Sequence, residues 1–108
     1  MAYYMVQAAY TAEAIAAMVK KPEDRAAAIG PVVEKLGGKL DGMWFCFGDY
    51  DVVGISEMPD NVSAAAFAFA ISQGGKLRAV KTTPLMTTAE AVKALKKAGG
   101  AGYRPPGA

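Results

Sequence analysis

Histidine is absent from this 108-residue chain, and cysteine occurs once, as Cys46. The first absence excludes a Ser–His or Cys–His nucleophile, His-ligated zinc and proximal-histidine haem. The second excludes an internal disulfide and any cysteine cluster for zinc or iron–sulfur. No apolar run reaches the roughly 18 residues that a membrane-spanning helix needs. A strong excess of either charge is missing too: 12 basic and 10 acidic residues leave +2, not the markedly basic balance that nucleic-acid binding favours. Neither nucleic acid nor membrane is therefore an expected partner, and no metal or cofactor is expected. What remains is a chain of one-domain length. It is 53% hydrophobic and 20% charged, too apolar to remain disordered. The opening Met1-Ala2-Tyr3-Tyr4-Met5 shows no basic segment and no cleavable apolar stretch. With the free thiol, this makes the cytoplasm the expected compartment.

Charge is uneven along the chain. Residues 1–75 carry 5 basic and 9 acidic side chains, a balance of −4; residues 76–108 carry 7 and 1, a balance of +6. A solvated basic C-terminal helix and tail explains this. An anion held near Lys76, Arg78 and Lys81, or attraction between opposite faces of two subunits, is the more specific alternative.

Residues 2–10 are rich enough in aromatic and apolar side chains for a strand. Thr11 is placed to cap a helix over 12–20, and Pro22 to open a second over 22–36, kinked or split at Gly30-Pro31 and stopped by Gly37-Gly38. Residues 39–47 and 50–58 read as a hairpin turning at Gly48-Asp49. A helix over 60–73 is capped by Asp60 or Asn61 and packs through Val62, Ala66 and Phe69. A strand over 76–86 follows, with Pro84 restricted to an edge or a strand end. Thr88 caps a last helix, 89–98, buried through Val92 and Leu95. Residues 1–98 thus form a single domain, and 99–108 a flexible Gly/Pro-rich tail.

This order, βαββαβ plus a short C-terminal helix, specifies an α+β, ferredoxin-like antiparallel sheet with its helices on one face. The other face should then be polar, yet both sides of the hairpin are apolar. With Met43, Phe45, Phe47, Val53 and Ile55 turned to the helices, Trp44, Cys46, Val52 and Gly54 fall on the uncovered face. A second copy packed sheet to sheet would cover it, so a homodimer or higher homo-oligomer is expected.

Chemistry-bearing residues are few, and no catalytic set is evident. Gly48-Asp49-Tyr50-Asp51 has the composition of a turn, but Tyr50 and Asp51 also place a phenol and a carboxylate at the end of the uncovered face. With Trp44 and Lys81 they are the candidate ligand-binding residues, suited to a zwitterion at a subunit interface. The helix stripes, by contrast, are expected to fill the core. Cys46 and the six scattered methionines read as packing residues. Gly74-Gly75-Lys76 lacks the frame of a phosphate loop.

Gly37-Gly38-Lys39, the run FGDYDVVGISEMPD at 47–60 and the Gly-Gly-Lys-Leu-Arg that opens the last strand resemble the GYD-domain proteins, small bacterial proteins named for the Gly-x-Tyr-Asp signature. The likeness extends from Tyr4 to about Lys96. It implies the ferredoxin-like fold and brings no catalytic residues. More distantly, the chain is similar to the ligand-sensing domain of leucine-responsive regulatory proteins, which pairs into sandwiches and binds amino acids between subunits. It also resembles dimeric αβ-barrel proteins, some of them cofactor-independent oxygenases or haem-degrading enzymes. The expected function is an oligomeric small-molecule-binding or structural module. The alternative is a cofactor-independent αβ-barrel enzyme, monooxygenase- or isomerase-like, using Tyr50, Asp51 or Lys81 for proton transfer.

Overall fold

The computed structural model describes residues 1–107. Strand β1 (Ala2–Tyr10) leads through Thr11, whose hydroxyl accepts from the Ala14 N–H, into α1 (Ala12–Lys20). Helix α2 (Arg25–Lys35) starts later than Pro22 suggests, because the Asp24 carboxylate is its cap, accepting from the Ala26 N–H. It runs unbroken through Pro31. Leu36, Gly37 and Gly38 end it: the Gly37 N–H donates to the Glu34 carbonyl and the Gly38 N–H to that of Val33, with Gly37 at φ 86°. This doubled closure is the Schellman arrangement. The chain continues as β2 (Lys39–Phe45), β3 (Val52–Met58), α3 (Asn61–Ser72, capped by Asp60), β4 (Leu77–Leu85) and α4 (Thr88–Gly99).

The four strands form one antiparallel sheet in the order β2-β3-β1-β4, the ferredoxin-like arrangement. Pro84 lies near the end of an edge strand, where its missing N–H is harmless. Helices α2 and α3 share one face of the sheet. Val33 of α2 and Ala64 and Phe67 of α3 close on Tyr4 and Met58 to make the core, and the Tyr4 hydroxyl donates to Asn61.

Several expectations from sequence are corrected here. Trp44 pairs with Val53, Met43 with Gly54 and Phe45 with Val52. Residues directly opposite share a face, so beyond the register shift between Leu40 and Gly42 odd positions of β2 go with even positions of β3. Val52 and Gly54 therefore lie under the helices with Met43, while Val53 and Ile55 join Trp44 on the bare face. Phe47 does not face the helices; it is 99% exposed, beyond the end of β2. In α3, Val62 and Phe69 point outward and Ala64 and Phe67 inward; a helix apolar on all sides carries no signal for which stripe packs. Thr87 rather than Thr88 caps α4, in a reciprocal capping box with Glu90. Helix α4 has no buried residue, and its Leu95 is 70% exposed. It stands off the domain, which is why the radius of gyration, 17.5 Å, exceeds the ~13 Å of a compact chain of about this length.

Between β2 and β3, Gly48 has φ 123°, with open space where a Cβ would go. The obstacle to a side chain is therefore backbone conformation alone. Gly48→Val is expected to cost about 1–3 kcal/mol, the range for residues forced into sparsely populated backbone regions. Thermal unfolding, followed by circular dichroism, checks this.

Candidate functional site

Small residues on facing elements leave a gap beneath the helices. Helix α2 packs over β2, and α3 over β4 and β3. Between them the floor is made of Val6 and Ala8 of β1 with Val52, Gly54 and Ser56 of β3, and the walls include Ala28, Ile29, Ala70 and Ile71. The result is a cavity of about 390 Å3, within the usual size range of small-molecule sites. The expectation that the helix stripes fill this space is corrected: Ala8, Gly54, Ala28 and Ala70 are too short to reach across it.

The walls are predominantly apolar, with polar groups toward one end. Tyr10, Arg25, Gln73 and Lys76 all line the cavity, and among the described residues no acidic side chain does. The Arg25 guanidinium donates to Glu23 at 2.7 Å, and Lys76 pairs with Glu13. The hydrogen bond to Glu23 raises the Arg25 pKa above its ordinary value, and the neighbouring Tyr10 adds to this. Burial acts in the opposite direction. Both partner carboxylates are exposed and lie outside the cavity walls. Tyr10 is also stacked on Phe45, with ring centroids 6.3 Å apart. Farther in, Ser56 is 3% exposed, and its hydroxyl has no hydrogen-bond partner among the described residues. Buried hydroxyls are normally satisfied, so this one needs an explanation.

The four residues nominated from sequence do not line this cavity. Trp44, Val53, Gln7 and Lys81 are successive partners across the sheet, which puts Trp44 and Lys81 in one row of the bare face. They sit on opposite edge strands, about 14 Å apart at ordinary strand spacing. Asp51 has a structural task. Its carboxylate accepts from the Tyr10 N–H at 2.8 Å, its N–H donates to the Ala8 carbonyl, and its carbonyl accepts from the Cys46 N–H. This fastens the hairpin to β1 where the β1–β4 register shifts between Ala9 and Tyr10. Tyr50 is half-buried, and its carbonyl accepts from the Cys46 thiol. The three basic residues 76, 78 and 81 also diverge: Lys76 lines the cavity, Arg78 donates to the Asp49 carbonyl, and Lys81 projects from the bare face. Arg25 and Ser56 were missed in the sequence. A run of small residues in every second position of β3 (Gly54, Ser56), with Ala8 on the same face of β1, is the signal that marks a floor with space above it.

Among the described residues, no helix is long and apolar enough to cross a membrane. No curated protein matches the chain in sequence. Solved structures that match the chain include two crystal structures. That of FFRP-DM1 is 12% identical with a TM-score of 0.49, over 80% of this chain and all of the other. That of MtbAldR is 12% identical with a TM-score of 0.57, over 80% of this chain; the matched region spans 53% of MtbAldR. The second likeness supports the α+β fold and nothing finer. The GYD domain model matches residues 4–95, including the signature Gly48-Asp49-Tyr50-Asp51 that ties the hairpin to β1, and the chain belongs to the GYD domain family.

Proposed function

We propose that the chain is a small-molecule-binding module that works as an assembly of at least two copies, joined through the bare face of the sheet. The cavity under α2 and α3 is the observation that carries the binding role. Protein interiors are close-packed, and voids larger than a water molecule are few. An apolar space of about 390 Å3, open to solvent on one side and with polar groups at one end, keeps hydrocarbon in contact with water unless something occupies it.

Self-association rests on the apolar surface left over. The bare face presents Trp44, Val53, Ile55 and Met5, with Tyr3 and Leu85 at its margin, where a solvated sheet face would be polar. The outer side of α3 and the stripe of α4 expose Phe69, Val62 and Leu95 as well. A surface with this much uncovered hydrocarbon is the kind that protein–protein contacts bury. Trp44 and Lys81 are then interface residues at opposite edges of the shared face.

Native mass spectrometry tests both parts at once. The expected result is a species of two or more chains carrying a small-molecule adduct after gentle purification. Trp44→Glu, which sets a charge in the bare face, is expected to shift the population to single chains while leaving each chain folded. A single-chain species for the unaltered protein at micromolar concentration overturns the assembly.

A further inference from the structure

We propose that the cavity takes a slender apolar carboxylate with a second oxygen function toward its far end, such as a hydroxy or keto fatty acid of medium length. The inference rests on the binding role proposed above and specifies its ligand. Three observations carry it.

The first is the asymmetry of charge. The two charged side chains lining the cavity, Arg25 and Lys76, are both cationic, and they lie at the same end as Tyr10 and Gln73. Glu23 engages one guanidinium nitrogen of Arg25, and a guanidinium offers five N–H donors in a fork, so donors remain for a carboxylate.

The second is shape. Tyr10 marks the cationic end and Ser56, which lies opposite Tyr4 on β1, the other. Tyr4 and Tyr10 are six positions apart along β1, about 20 Å at the rise of a strand. The volume of about 390 Å3 lies toward the lower end of the range for small-molecule sites, about 300–1,000 Å3. A long space of small volume suits a chain rather than a fused ring system.

The third is the unpartnered Ser56 hydroxyl, buried and lining the cavity away from the cationic end. A purely hydrocarbon tail would leave it unsatisfied. A hydroxyl or carbonyl oxygen on the ligand would satisfy it. The other buried hydroxyl without a partner, Thr82, does not line the cavity.

Titration calorimetry with four probes of one chain length tests the assignment on the unaltered protein: 10-hydroxydecanoate, decanoate, decan-1-ol and decylamine. Decanoate is expected to bind about tenfold or more tighter than decan-1-ol, as hydrogen bonds to charged groups require, and decylamine weakest. 10-Hydroxydecanoate is expected to exceed decanoate by about threefold to tenfold, the yield of one neutral hydrogen bond. Arg25→Met, which keeps an apolar stem, should erase the preference for decanoate over decan-1-ol, and Ser56→Ala the preference for the hydroxy acid. Equal binding of decan-1-ol, decylamine and decanoate overturns the ligand class while leaving a binding module. Equal binding of the two acids overturns the Ser56 contact. Failure of all four probes to bind overturns this inference, while the binding role itself stands or falls with the adduct in native mass spectrometry.

Discussion

Gly38→Ala is expected to lower the midpoint of thermal unfolding by about 10 °C or more, equivalent to about 2–3 kcal/mol for overpacking in a domain of this size. A Cβ at this position would lie 2.4 Å from the Glu57 carbonyl oxygen, 2.5 Å from the Met58 sulfur and 3.2 Å from Val33 Cγ1. The sulfur belongs to a flexible side chain and can move. The carbonyl belongs to β3, paired with β2 at Lys39 and Glu57, and cannot shift without opening the sheet. Gly38 also donates the outer hydrogen bond that closes α2, so helix end and strand start are fixed together. Gly30→Ala is the matched control. Gly30 lies within α2 with no atom beyond its chain neighbours within 4 Å of the added methyl; the helix-propensity gain of alanine is opposed there by the ring of Pro31, which crowds a Cβ on the preceding helical residue, so the change should stay within about 1 kcal/mol. Parallel melts of the two variants decide the matter: equal losses would mean that glycine content, not the contact with β3, sets stability here.

Asp51→Ala is expected to destabilise by about 1–3 kcal/mol, the range for stranding a buried donor, here the Tyr10 N–H. The adjacent register shift takes Tyr10 out of regular pairing with β4, so the Asp51 carboxylate is the partner of that N–H. Asp51→Asn retains an acceptor oxygen and should recover most of the loss. Urea denaturation of the three proteins measures this order. An Asn variant as unstable as the Ala variant would assign the effect to charge rather than to the hydrogen bond. In either outcome, the carboxylate of the family signature acts on the fold before it acts on any ligand.

The elements were legible in the sequence wherever their cause is local. Thr11 and Asp60 cap helices because a side-chain oxygen two or three residues ahead of a free N–H is enough. Gly37-Gly38 closes α2, and Pro84 marks an edge, for similarly short-range reasons. Illegible features depend on what lies across the fold. The facing of Val52 and Val53 is decided by which residue of β2 stands opposite, and a shift of one position exchanges the two faces. Val62 and Phe69 were misplaced because α3 is apolar on every side. The cavity is the least local feature. It exists because Ala8, Gly54, Ala28 and Ala70, drawn from four different elements, converge and none is large enough to fill the gap.

Trp44 has a consequence for how this molecule can be observed. Its indole lies over Gly42, where an added Cβ would come within 2.5 Å of the ring, and it is 56% exposed on the bare face. It is also the chain's sole tryptophan. Emission excited at the red edge of the protein's absorbance therefore comes from the sheet surface and not from the core around Phe67 and Met58. Its colour reports whether that surface is wet, while ellipticity reports whether the helices are intact. For the assembly proposed above, the two optical signals should separate as the protein is diluted, because one would follow the meeting of chains and the other the integrity of each.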